Sequence, residues 1–269
     1  MRCSVLFAAI FSVATTFGFA DLQAAPISYV GPFVGNTVIY DMVREAANSA
    51  GDVAPLFGPP TVSADSLTFD PVGFGASTIG GGVDITDGNL AFMVMAKPGN
   101  SIQNLQIQEF GDTTLTGPGD DTTYSAVKMH GILKISEVDF VGINTISMPI
   151  SITNFGPSGG DYGLATDASG GPLFSSGWSG STLVDLTTSN PVVAAALAAR
   201  NIVPALGVTK ISVNFDNTLV AISQTGTSAL IAKKNAGGVI ITTNIPEPTT
   251  CLLGILGVAL CGVVARRVR

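Results

Sequence analysis

From residue 38 to residue 243 the sequence is cut by Gly, Pro, Asn and Asp into short apolar or alternating runs. A chain interrupted this often can build many strands and few helices. Val38–Met42 is one such run, and Ser66–Phe69 follows the break at Gly58-Pro59-Pro60. Asp87-Gly88 is a two-residue turn signal, so Gly82–Thr86 and Asn89–Ala96 are expected to form a hairpin. In the second arm Leu90, Phe92 and Val94 point one way and Ala91, Met93 and Met95 the other. Both faces are apolar, which places that strand centrally in a sheet. Ile102–Phe110 alternates, with Leu105, Ile107 and Glu109 sharing a side, and Gly111–Thr123 reads as a polar loop. Tyr124–Val141 suits one long strand, and Pro149 marks Ile143–Phe155 as an edge or a bend. Val208–Phe215 and Leu219–Ser223 flank Asp216-Asn217 as a second hairpin, and Ala229–Ala232 and Val239–Thr243 close the body. Asn190 caps a helix that starts at Pro191, and a second short helix is expected near Asp41–Ser49. The sum is an antiparallel β-sandwich of jelly-roll type with one or two short helices.

The three cysteines are Cys3, Cys251 and Cys261, so residues 26–245 contain none and no disulfide supports the body. It must rest on its hydrophobic core, for which a chain of this length suffices. Between residues 21 and 245 there are 18 acidic and 8 basic residues, a net charge of −10. Such a body carries no electrostatic footprint for nucleic acid.

The two ends carry addresses. Arg2, an uncharged apolar stretch from Val5 to Ala20 and the small residues that follow have the layout of a secretory signal peptide over residues 1–24. At the other end, Pro246-Glu247-Pro248 precedes a 17-residue apolar segment, Thr249–Ala265, and then Arg266, Arg267 and Arg269. The segment is just long enough to span a bilayer as a helix, and the arginines favour a cytoplasmic end. Two prolines around a carboxylate make a stiff, extended stretch outside the membrane.

This order of motif, helix and arginines over residues 246–269 resembles the PEP-CTERM sorting signal of bacterial surface and exopolysaccharide-associated proteins. The resemblance implies an exosortase-type processing protease as partner and membrane anchoring by the C-terminal helix. Release to the cell surface or outside follows processing. Gly58–Pro71, Gly81–Gly88 and Asn214–Gly238 are similar to the body of a planctomycete-type group of PEP-CTERM proteins, which implies a β-sandwich over residues 26–245 and no particular activity.

Candidate chemistry in the body is sparse. His130 is the single histidine and no G-x-S-x-G motif accompanies it, so a serine triad has little to build on. Glu109, Glu137, Asp139 and Asp120-Asp121 are carboxylates that a glycosidase could pair. No cofactor is expected, calcium aside: Asp84, Asp87, Asp120 and Asp121 are loop-like carboxylates of the kind hard cations take. Zinc is not expected, since one histidine and a cysteine-free body cannot build its usual site. Gly156–Ser181 holds eight glycines in 26 residues, with Tyr162, Phe174 and the single tryptophan, Trp178, spread among them. Read as a loop, it offers these aromatics as an exposed rim for stacking on sugars. Two function classes follow. One is an exported, non-catalytic cell-surface or matrix protein that associates with exopolysaccharide. The other is a secreted carbohydrate-active enzyme on a jelly-roll scaffold.

Overall fold

A computed structural model describes residues 25–49 and 51–244; the stretches read as a leader (1–24) and a sorting signal (246–269) lie outside them. In chain order the strands are β1 (Ile27–Ser28), β2 (Phe33–Val34), β3 (Val38–Ala47), β4 (Thr61–Ser63), β5 (Ser66–Phe69), β6 (Gly75–Ile79), β7 (Gly82–Ala96) and β8 (Asn104–Thr116). They continue with β9 (Tyr124–Val138), β10 (Val141–Ile152), β11 (Phe155–Gly156), β12 (Asp161–Gly163), β13 (Leu173–Asp185), β14 (Val208–Ser223), β15 (Ser228–Lys233) and β16 (Val239–Asn244). Two helices interrupt them, α1 (Leu164–Asp167) and α2 (Pro191–Ala198).

The strands form two antiparallel sheets. The first runs β1-β3-β7-β14-β9-β10, with β2 on β3 and β12 on β9. The second runs β11-β13-β8-β16-β5-β4, with β15 bridging β8 and β6. Side chains alternate across both, and their inner faces merge into one apolar cluster. Phe57 is its hub. It meets Phe69 of the second sheet, Phe215 of the first and Phe74 edge-on, at ring separations of 6.2, 6.3 and 5.0 Å. Each such pair contributes about 0.5–1.5 kcal/mol beyond its buried area. The sandwich expectation therefore holds, and no helix among the described residues is long and apolar enough to cross a membrane.

Several local expectations are overturned. Asp87-Gly88 is not a turn, because β7 runs straight through it, and β14 likewise runs through Asp216-Asn217. The two dipeptides meet in mid-sheet, with Asn217 opposite Gly88 and Thr218 opposite Asp87. Glycine is needed at 88 for space, since a Cβ there would lie 2.7 Å from Phe74 and 2.9 Å from Leu56. The first sheet's positive-φ turn comes at Asp139-Phe140 (φ 53° and 63°), which splits the expected Tyr124–Val141 strand into β9 and β10. Burial opposes ionisation of Asp139. Backbone N–H groups of Gly207, Ala205 and Leu206 outweigh that and hold its carboxyl below the usual aspartate range. The helix expected near Asp41–Ser49 is strand β3, whose Val38, Tyr40 and Val43 fill the core. The Gly111–Thr123 loop begins as β8, which continues to Thr116. Pro149 does lie on an edge strand, β10, and Asn190 caps α2 by accepting the Val192 N–H at 3.0 Å.

Candidate functional site

The first sheet turns its outer face to solvent over β3, β7, β14, β9 and β10, and register places the outward residues in rows. One row is Arg44, Ala91, Asn214, Ile132 and Pro149; beside it run Met93, Ser212, Lys134 and Ser147. On the other side lie Asn89, Asp216, His130 and Ser151. A bulge in β3 sets two residues, Met42 and Val43, against Phe92, with Met42 at φ 52°. It keeps Val43 in the core and adds Met42 to the exposed rim. Small Ala91 leaves a groove of ≈ 410 Å³ between Arg44, Met93, His130, Lys134 and Asp216. Asn89 Nδ2 donates to Asp216 Oδ1 at 2.9 Å, fixing that carboxylate on the groove floor.

This face mixes both signs, since Asp41 shares the row of Met93 and Lys134, Asp87 that of Lys128, and Asp216 lies on the groove floor. Among the described residues there are two ion pairs, Lys210–Glu137 and Lys233–Glu109. Lys97 and Arg200 donate to backbone carbonyls. Of the four remaining cations, Arg44, Lys128 and Lys134 project from this face and Lys234 follows β15 of the second sheet, all exposed and without a side-chain partner among the described residues. Lys128 and Lys134 share one side of β9, about 20 Å apart, with His130 and Ile132 between them. Arg44 stands three strands away, about 14 Å across the sheet. Cations held at such spacing beside amide and hydroxyl groups suit an extended anionic ligand.

A second cluster is enclosed between the sheets. Lys233 Nζ donates to Glu109 Oε2 at 2.7 Å and to Asn217 Oδ1 at 2.9 Å, with all three residues buried. The ammonium lies 5.3 Å from the Phe74 ring centre and 5.5 Å from that of Trp178. Burial pushes the Lys233 ammonium below the ordinary lysine range, against the opposing pull of Glu109. Glu109 Oε1, Asn217 Nδ2 and Trp178 Nε1 have no hydrogen-bond partner among the described residues.

The aromatic rim expected over Gly156–Ser181 is not formed. Trp178 lies on β13 with 2% exposure and meets Phe155 edge-on at 5.6 Å. Its cross-strand partner is Gly111, and the indole covers that glycine so closely that a Cβ there would lie 2.0 Å from the ring. Tyr162 is fully buried, and half-buried Phe174 stacks on it at 6.0 Å. The physical reason is strand pairing. β13 pairs along its whole length with β8, so alternation turns Phe174 and Trp178 inward.

The carboxylates named for catalysis or calcium are dispersed. Glu109 is in the buried cluster, Glu137 pairs with Lys210, and Asp139 accepts three backbone N–H groups. Asp84 accepts from the Ser77 N–H, and Asp87 from the Thr218 hydroxyl. Asp120 is bonded to the Thr122 hydroxyl and Asp121 binds Thr166; those hydroxyls lower both carboxyls. Among the described residues no three acidic, histidine or cysteine side chains converge on a metal-sized site. Reading the sequence by function missed Arg44, Lys128 and Lys134 as well as Asn217 and Lys233. Parity could have found the last, since Lys233 continues the inward set Ala229 and Ile231.

No family model and no curated protein matches the chain. Among solved structures it is similar to a tailspike protein of bacteriophage CBA120, at 12% identity and TM-score 0.21, over 78% of this chain and 20% of that one. It thus spans a fifth of the tailspike's length. It is also similar to TmCBM61 in complex with beta-1,4-galactotriose, at 9% identity and TM-score 0.17, over 76% of this chain and 88% of that one. A third is a mutant ENZbleach xylanase, at 10% identity and TM-score 0.20, over 85% and 94%.

Proposed function

We propose that the protein is an exported, non-catalytic cell-surface protein whose jelly-roll-type sandwich holds an acidic exopolysaccharide across the outer face of its first sheet. The observation that carries the binding half is that three of the four cations without a side-chain partner among the described residues, Arg44, Lys128 and Lys134, project from one grooved face. Their partners would be uronate or other acidic groups spaced along a glycan. The neutral part of each sugar would rest on Met93, Ile132 and the amide of Asn214. The addressing half rests on the leader over residues 1–24 and on the PEP-CTERM-like tail. That tail gives the protein an exosortase-type partner and a passing stay in the membrane.

Two measurements bear on these halves separately. The Arg44→Glu, Lys134→Glu double variant should bind a polyuronate at least tenfold more weakly than the wild type, a loss of about 1.4 kcal/mol or more. Its melting midpoint should stay put, since both side chains are exposed. Wild-type binding should weaken with salt, and a neutral glucan should bind poorly. Equal affinity of wild type and variant would refute the groove. Release of new reducing ends would move the reading to the carbohydrate-active enzyme. For the address, replacing Pro246-Glu247-Pro248 by three alanines should leave an unprocessed, membrane-retained form in the native host, as seen by immunoblot of membrane and released fractions. Normal release of that variant would remove the sorting reading.

A further inference from the structure

Lys233, Glu109 and Asn217 form a costly enclosure if they are only an ion pair with an amide beside it. Two charges are withdrawn from water, and an acceptor on Glu109 and a donor on Asn217 go unmet. Yet the three groups are arranged for a reaction. Lys233 Nζ is 2.9 Å from Asn217 Oδ1, so the amide carbon, one carbonyl bond further, lies within about 4.1 Å of the nitrogen. Glu109 Oε2, at 2.7 Å, is in place to take the proton that must leave before the nitrogen can attack.

We propose that Lys233 and Asn217 condense into an intramolecular amide, with Glu109 as the proton-transfer group, joining β14 of the first sheet to β15 of the second. Lys233 passes a proton to Glu109 and becomes a neutral amine. Its lone pair attacks Asn217 Cγ, and the carbonyl electrons move onto Oδ1, where the Glu109 acid hydrogen-bonds the developing oxyanion. Collapse of this intermediate breaks the Cγ–Nδ2 bond. The second proton of the attacking nitrogen leaves with Nδ2, and one ammonia departs. Ammonium, carboxylate and primary amide thus become secondary amide, carboxylic acid and ammonia, with atoms and charge balanced.

The surroundings favour each step. Burial already weakens the hold of Lys233 on its proton. The Phe74 and Trp178 rings flank the nitrogen and exclude the water that would compete for the carbonyl. Asn217 sits on β14, paired on one side with Gly88 and on the other with Met129, and Glu109 sits on β8 between Gly180 and Val239. Groups fixed on paired strands meet at high effective concentration. The product also removes two penalties, since the unpartnered Nδ2 leaves and both buried charges vanish. A cysteine-free body gains in this way the covalent tie that a disulfide would otherwise provide.

Mass spectrometry of the wild-type full-length chain tests this directly. Unmodified protein yields the tryptic peptide Ile211–Lys233, whereas the linked form resists cleavage after Lys233 and yields Ile211–Lys234 lighter by one ammonia. Chymotryptic cleavage after Leu219 should then leave the Asn217 and Lys233 halves joined. A succinimide at Asn217 also loses ammonia but lets the halves separate, and that result would overturn the proposal. So would a wild-type Ile211–Lys233 peptide of full mass. Lys233→Arg and Glu109→Gln should each restore the full mass in whatever soluble protein they give. Joined halves in Glu109→Gln would remove Glu109 from its role.

Discussion

Truncation of Trp178 to alanine should cost about 3–5 kcal/mol, the range for a large aromatic side chain removed from a core that cannot fully collapse. The indole fills the space over Gly111, meets Phe155 edge-on and closes one side of the Lys233 ammonium. Its loss therefore opens a cavity and admits water to the buried Lys233 nitrogen at the same time. Trp178 is the single tryptophan, so fluorescence reports on it alone. The wild type should emit in the blue and resist acrylamide quenching. A denaturant melt of Trp178→Ala should show the midpoint fall, with polyuronate affinity kept in the fraction that stays folded, because the groove is on the opposite face of the other sheet. A quenchable tryptophan together with an unchanged midpoint would contradict the packing described above.

Glu109→Ala should be comparably damaging, by about 3–5 kcal/mol, because it leaves the Lys233 ammonium buried without a counter-charge. Replacing both partners by apolar residues, Glu109→Leu with Lys233→Met, should recover the part of that loss that comes from the unpaired buried charge, though not the part that comes from the tie to Asn217. Chemical denaturation of the three proteins under one set of conditions checks this. If the single and double variants melt together, the cluster does not govern stability as its burial requires.

The sequence reveals the parity of this protein better than its punctuation. Leu90, Phe92 and Val94 predict the inward face of β7, and Leu105, Ile107 and Glu109 that of β8, because alternation is a property each strand carries within itself. Pro149 and Asn190 are legible for the same reason: a missing N–H and a capping carboxamide act within a few residues. Asp87-Gly88 and Asp216-Asn217 mislead because each meets its reason for being there only across the sheet. Gly88 makes room for Phe74, and Asn217 reaches Lys233. Trp178 misleads in the same way, since the glycine it covers lies on another strand. The grouping of the cations is hidden more deeply still. Arg44 and Lys134 are 90 residues apart in sequence, and only the order β3-β7-β14-β9 brings them to one surface.

The place of β16 has a mechanical meaning. It lies between β8 and β5, hydrogen-bonded on both sides, and its last residue, Asn244, is the final described residue before the Pro-Glu-Pro stretch. Tension entering the body through Asn244 is directed along a strand held by two ladders, so both must shear together before the strand can leave. A strand at the sheet edge would be held by one ladder alone. A pull applied at Asn244 would thus meet the sandwich at a strand braced on both sides.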